Sequence, residues 1–392
     1  MIVIASFMKE IKDILGAFSE AQKQGKKTAL ATVVHVEGSS YRRAGARMLI
    51  TEDGRLTGAI SGGCLEGDAL RKALLVMTQQ KSMLVTYDTM DEDDATLGIG
   101  LGCNGIIQVL IEPIDLAKEN NPIAFLEEAT AKRQSSVLVT LFSLQDKKNP
   151  QPGTCLLLKQ DGSITGKAPF LNDTLMQDAG TAFQHQSISF KNYITENESY
   201  TAFVEFLKPP ISLIIIGAGN DVMPLVQMAD ILGWESTVVD GRPNYAKKER
   251  FAPSCRVLIS KPGNVLDQLT IDDQTVFLLM THNYNYDLAI FRALLNKKVT
   301  YIGSLGPRKK LDRMLDELKD EGIKLTDEQL SMIYGPVGLD IGAETSEEIA
   351  LSILSEIKAV FSLKQGRSLR TIPDVIHSRS ESVIEQVHIS RQ

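Results

Sequence analysis

Cysteine is scarce. Four residues, Cys64, Cys103, Cys155 and Cys255, lie far apart in a chain of 392, and no pair is spaced as CxxC. That excludes the disulfide framework of a small secreted domain and offers no preassembled zinc site. Proline, glycine and serine do not dominate the composition, which excludes a disordered or fibrous chain. Surplus positive charge is missing too: 42 Lys and Arg against 49 Asp and Glu leave a net charge of −7. The chain's main work is therefore not on a nucleic-acid backbone, and any anion site must be a local cluster. The opening MIVIASFMKE has too few apolar residues for a membrane span and lacks the basic start of a signal peptide. These features predict a cytoplasmic protein with reduced thiols and no membrane contact.

What is present is an ordinary globular composition, 43% apolar and 23% charged, in a length that suits two or three domains. Phe7, Ile11, Ile14, Leu15 and Phe18 form the apolar stripe of a helix over about 6–24. The β-branched TALATVVHVE, two short strands flanking EDGR, a helix after SGGC, and the strands LVTYD and GIIQVLIEP complete a mixed α/β domain over 1–115. Runs such as SSVLVTLFSL and YTAFVEFL predict a β-rich extension over 116–208. Pro209 and Pro210 then mark a boundary, since neither can donate a ladder hydrogen bond. From 209 to 365, short apolar strands alternate with helical patterns: SLIIIG, STVVD, CRVLIS, TVFLLMTH, VTYIGS and SMIYGPV. The expected fold class is thus α/β, with a Rossmann-like doubly wound parallel sheet following the N-terminal domain. Residues 366–392 are left as a tail, and no internal repeat or low-complexity segment is found.

In LIIIGAGNDVMPLV a strand meets Gly217 and Gly219 and a helix follows, the order of a dinucleotide-binding turn. Val222 stands where the third glycine belongs, so the fingerprint is GxGxxV. Asp240 ends the next strand, where a carboxylate can accept from a ribose hydroxyl, and the nearby Arg242 leaves NAD and NADP both open. A vestigial fold that keeps its glycines only for the turn is the competing reading. Other strand ends of the same sheet carry His282 and Asp287 in MTHNYNYD, and Gly303, Ser304, Gly306 and Arg308 in GSLGPRKK. A backbone-bonded histidine and a simple helix entry account for these equally. Thr345 and Glu348 fit a capping box, which leaves Asp340 and Glu344 as unexplained carboxylates in a glycine-rich loop.

In the first domain, EGSSYRRAGARM places Arg42, Arg43 and Arg47 among small residues, a pattern suited to a phosphate or carboxylate and equally to a solvated loop. Cys64 follows Gly62 and Gly63 at a helix entry, where the dipole favours a thiolate and Glu66 and Asp68 oppose it. Cys103 follows Gly102 in a second glycine-dense loop. Two such thiols suit a soft metal or sulfur ligand, or are simply small hydrophobes. Cys155 and Cys255 are expected in the core, Asp91, Glu92, Asp93 and Asp94 in a solvated loop, and His35 as an ordinary strand residue.

Taken together, ATVVHVEGSSYRRAGARMLI, GAISGGCLEGD and LGIGLGCNG resemble the N-terminal domain of the XdhC/CoxI family, the xanthine dehydrogenase accessory factors. IIIGAGND, VVDGRPNYA, MTHNYNYD, YIGSLGPRKK and GLDIGAETSEEIA look like that family's C-terminal Rossmann domain. The resemblance covers roughly 10–112 and 211–360 and departs from the family at Asn104, where glycine often follows the second cysteine. It implies a maturation factor that binds the molybdenum cofactor (molybdopterin), protects it during sulfuration and helps load it into an apo molybdenum hydroxylase of the xanthine dehydrogenase type. A cysteine desulfurase is the other implied partner. On this resemblance Arg42, Arg43 and Arg47 would meet the pterin phosphate, and Cys64 and Cys103 would be the thiols nearest the molybdenum. The sequence shows no convincing acid/base pair for turnover. Two other readings stand beside this one: an NAD(P)-dependent oxidoreductase using Gly217, Gly219 and Asp240 with His282 as proton donor, and a nucleotide-sensing scaffold protein. A homodimer is expected without a residue-level argument.

Overall fold

Helix α1 (Met8–Lys23) turns Met8, Ile11, Ile14, Phe18 and Ala21 inward, the stripe its spacing dictates. A five-stranded antiparallel sheet follows, from β1 (Thr28–Gly38), β2 (Arg47–Thr51), β3 (Leu56–Gly58), β4 (Met83–Asp88) and β5 (Gly105–Pro113), in the order β3-β2-β1-β5-β4. Helix α2 (Glu66–Gln79) covers one face, setting Ala69, Ala73, Val76 and Met77 against Ala29, Ala31, Val33 and Met48. Leu30 and Leu49 point the other way, into a second cluster with Ile11, Ile14 and Phe18 of α1. Burial on both faces explains why β1 reads as a continuous apolar run rather than an alternation. The structure, a computed structural model, describes residues 8–89, 105–147, 149–168, 172–194, 199–372 and 384–388.

The stretch 116–208 holds two helices besides its strands: α3 (Pro122–Ala131), which Asn121 caps by accepting from Ile123 N, and α4 (Asn172–His185). Strands β6 (Ser136–Phe142), β7 (Gly153–Lys159), β8 (Ile164–Gly166), β9 (Ser189–Ile194) and β10 (Ser199–Leu207) form a second sheet in the order β9-β10-β6-β7-β8. Both sheets belong to one compact unit, which runs to Pro209 and takes in the C-terminal stretch from Pro373.

Pro210–Ile372 forms the second unit. Its strands are β11 (Ser212–Ile216), β12 (Glu235–Asp240), β13 (Arg256–Ile259), β14 (Thr275–Leu279), β15 (Tyr301–Ser304) and β16 (Ile333–Tyr334). All pair parallel, in the order β13-β12-β11-β14-β15-β16. This is the doubly wound order of a Rossmann sheet, with its switch point between β11 and β14. Helix α5 (Val222–Ile231) covers one face together with α9 (Ser346–Phe361), and α6 (Tyr284–Leu294) and α7 (Arg308–Asp320) cover the other. The short α8 (Asp327–Ser331) leads into β16. Residues 366–392, expected as a tail, then contribute β17 (Glu385–His388), which pairs parallel with β9 of the first unit. Among the described residues no helix is long and apolar enough to cross a membrane.

Candidate functional site

Strands β1 and β4 end, and β5 begins, at one end of the first sheet, where Gly38 pairs with Gly105 and Asp88 with Ile106. The arginine loop, the SGGC turn and both ends of the segment carrying Cys103 therefore leave from the same end. Two contacts draw them together. The Tyr41 ring lies against Gly62, whose added Cβ would sit 3.6 Å from Cγ and Cδ1. A Cβ on Gly105 would lie 2.5 Å from the carbonyl oxygens of Glu37 and Ser39, so only glycine fits at that close approach. Thr89 Oγ1 accepts from Gly105 N at 3.0 Å, pinning the two ends of the intervening segment. Gly102 and Cys103, like the acidic run Asp91–Asp94, lie outside the described residues.

Ser61 organises the SGGC turn. Its Oγ accepts from Gly63 N and Leu65 N, each at 3.1 Å, and from the Cys64 thiol at 3.3 Å, and donates to Glu66 Oε2. Glu66 Oε1 takes Ser61 N at 2.7 Å and Ile60 N at 3.2 Å. Burial opposes the charge on Glu66, but these donors together hold its carboxyl below the ordinary range. Asp68 is likewise occupied, by Lys72 at 2.8 Å, the Tyr87 hydroxyl at 2.9 Å and Arg71 at 3.1 Å. The two acids expected to oppose a thiolate at Cys64 are thus turned onto other donors. Cys64 is half-buried, whereas Cys155 and Cys255 are in the core. Burial pushes both core thiols up, Cys255 to about 11.

The three arginines divide. Arg42 pairs with Glu10 beside the loop, and Arg43 is half-buried there. Arg47, expected to meet an anion, is instead 2% exposed and paired with the equally buried Glu205 of β10, while its Nη1 donates to Gly45 O at 2.8 Å. A guanidinium already neutralised inside the core is lost to any external ligand. Nearby Glu112 accepts from Thr154 N at 2.7 Å and Thr154 Oγ1 at 2.8 Å, and burial pushes its carboxyl up. His35, expected as an ordinary strand residue, is buried in β1 where the pairing with β5 shifts register between Val33 and His35, with Phe190 edge-on at 5.0 Å.

In the second unit, a cleft of about 430 Å³ opens at the carboxyl ends of β12 and β14, lined by Asp240, Arg242, Thr281, His282, Asn283 and Tyr286 among others. Gly217 adopts φ +124°, and a Cβ there would overlap the Met280 carbonyl. Asp240, expected to be open to a ribose, is instead buried and fully engaged. Its oxygens accept from Ala218 N, Arg242 N and Arg242 Nε, each at 2.9 Å, and from Arg242 Nη2 at 2.8 Å. Burial opposes its charge, but these donors hold it below the usual carboxylate range.

His282 is exposed with φ +55°, its Nε2 3.7 Å from Asp221 Oδ2. Gly303 serves packing, since a Cβ there would lie 2.6 Å from Leu278 and 2.7 Å from Val337. Arg308, Asp340 and Glu344 are exposed, and Glu344 N donates to Glu348 within the capping arrangement at Thr345. Sequence reasoning missed Lys310, which reaches the fully buried Asp287 at 2.6 Å and joins the fourth and fifth strand ends, and Arg250, whose Nη1 donates to Ala218 O at 2.7 Å. The doublet of lysines after GSLGPR was the one available signal for the former. Among the described residues no group of three or more His, Cys, Asp or Glu could hold a metal ion.

Comparison with known proteins follows the same division. Residues 21–88 match the model described as the XdhC and CoxI family, and residues 213–357 that of the XdhC Rossmann domain. A Bacillus subtilis (strain 168) protein, named as a probable subunit of xanthine dehydrogenase, is 31% identical over 350 residues, 89% of this chain and 97% of its own length. The Escherichia coli (strain K12) protein named "Molybdenum cofactor insertion chaperone PaoD" is 23% identical over 352 residues, 89% of this chain and 88% of its own. A crystal structure from Bacillus halodurans, described as a xanthine dehydrogenase, matches with a TM-score of 0.70 at 32% identity, covering 91% of this chain and 98% of that one.

Proposed function

This chain belongs to the XdhC and CoxI family, and from that premise we propose that it is an accessory factor carrying the molybdenum cofactor to an apo molybdenum hydroxylase of the xanthine dehydrogenase type. The observation that carries the reading is the meeting of the arginine loop and the SGGC turn through Tyr41 and Gly62. The cargo is a phosphorylated, sulfur-rich molybdenum compound. Soft thiols suit its metal, and guanidinium forks suit its phosphate. Cys64 is the accessible thiol of the described residues, and Arg42 and Arg43 are the arginines that remain at the loop. Gly62 and Gly63 leave the turn without side chains beside the thiol, with Gly63 at φ +113°. Arg47 acts only by holding the loop to the core. Gly102 and Cys103 enter the site by family resemblance alone.

The reading extends to sulfuration of the held cofactor, with a cysteine desulfurase as second partner, and to a homodimer. Co-purification with a desulfurase and light scattering on the purified protein test these two extensions. The carrier itself is tested by anaerobic incubation with released molybdenum cofactor, gel filtration, and measurement of molybdenum and pterin per chain. Near-stoichiometric retention by the wild type is expected, with a loss of about tenfold or more in Cys64→Ala and in Arg43→Ala, matching one lost charge-assisted or ligand contact. Undiminished retention by both folded variants would remove the site, and no retention by the wild type would remove the carrier.

A further inference from the structure

The order of the second sheet implies a nucleotide at its switch point, and the residues there do not fit one. A dinucleotide needs two things from such a turn. Its diphosphate must come against the second glycine at the positive end of the helix, and a ribose hydroxyl must find a free acceptor at the end of the second strand. Both places are already filled from within the chain.

Gly219 is the second glycine. The position its Cβ would take overlaps Asp221 Oδ1 and lies 3.7 Å from His282 Nε2. The space that the missing side chain leaves for a phosphate therefore holds the carboxylate of Asp221, the N-cap residue of α5, with the His282 imidazole close by. Asp221 makes no cap hydrogen bond to the helix, and its Oδ2 faces His282 at 3.7 Å. The acceptor is consumed as well, a loss of affinity that leaves the diphosphate position as the block, because both oxygens of Asp240 are taken by Ala218 N and by the backbone and side chain of Arg242. Arg250 holds this arrangement from the far side, donating to Ala218 O at 2.7 Å, Tyr245 O at 2.6 Å and Asn220 Oδ1 at 2.8 Å.

We infer that Asp221 is a specificity-determining residue that excludes dinucleotides from this Rossmann turn by occupying the diphosphate position with its own carboxylate. A diphosphate placed there would meet a like charge at contact distance. The inference is independent of the carrier reading, since no residue of the first unit enters it. It also removes the hydride donor that a role for His282 in an NAD(P)-dependent oxidoreductase would require.

The test titrates NADH and NADPH, followed by nicotinamide fluorescence, into the full-length wild type, Asp221→Asn and Asp221→Gly, with circular dichroism to confirm folding. Asparagine removes the charge and keeps the volume, and glycine removes both. The wild type should show a Kd above about 1 mM, and Asp221→Gly one of about 100 μM or tighter, a gain of about tenfold. Asp221→Asn should fall between them. Saturation of the wild type below about 1 mM would overturn the inference, and so would folded variants that stay as inert as the wild type.

Discussion

Replacing Arg47 by methionine should cost the first unit more than any surface change, because of where its guanidinium lies. Arg47 and Glu205 are each 2% exposed and joined by two N–H to carboxylate contacts, with Gly45 O taking a third donation. Burial disfavours the charged guanidinium, but Glu205, Glu10 and Glu112 around it outweigh that and hold it protonated. Arg47→Met preserves much of the apolar stem and strands the Glu205 carboxylate without a cation. Removing one partner of a buried pair costs about 3–5 kcal/mol. For a unit of this size, about 2–4 °C per kcal/mol converts that into a fall in Tm of about 6–20 °C. The double variant Arg47→Met with Glu205→Leu removes the stranded charge and should recover most of the loss, giving a coupling of about 2–3 kcal/mol. Urea unfolding followed by circular dichroism measures all four corners of the cycle. A single variant within about 1 kcal/mol of the wild type, or a double no better than the single, would refute the assignment of Arg47 to the core.

Two further outcomes follow from the titrating groups. Asp240 is held below its ordinary pKa in the folded chain, so its contribution to stability is complete above the unfolded carboxylate value and is lost as the pH falls through the folded one. Asp240→Asn should thus lower Tm at about pH 7 by an amount that shrinks as the pH falls below about 4, and a deficit that stays constant on acidification would contradict it. In a Cys103→Ser background, Cys64 should react with Ellman's reagent at about pH 8 in the native protein, while Cys155 and Cys255, with raised pKa values, should react only after denaturation. Rapid native release of all three equivalents would count against the assigned burial.

The second unit was legible because buried parallel strands are short apolar runs, and SLIIIG, STVVD and TVFLLMTH can be little else. The arginine loop was legible only in part. Arg42 and Arg47 look alike in sequence, and what separates them is a glutamate 158 positions from Arg47, which no local pattern reveals. Asp240 stood at the expected strand end, but its partner Arg242, two residues on, turned out to be a ligand for the carboxylate rather than a clue to NADP. Helix α3 carried its start signal in Asn121 and Pro122, which the surrounding β-branched runs obscured. Helix α4 buries Leu175, Ala179 and Ala182, a stripe too light in large apolar residues to outweigh its strand-rich neighbours.

The last strand has a consequence for how the molecule is made. Because β17 pairs with β9, the second unit is an insertion between β10 and the closing strand of the first. A ribosome delivers all of Pro210–Ile372 before Glu385–His388 emerges, so the unit that begins first is completed last, and the outer edge of β9 stays open meanwhile. An unpaired edge is a template for other chains. Cutting the chain before Glu385 would make that transient opening permanent, so aggregation rather than loss of the Rossmann fold is the expected mark of a C-terminal truncation.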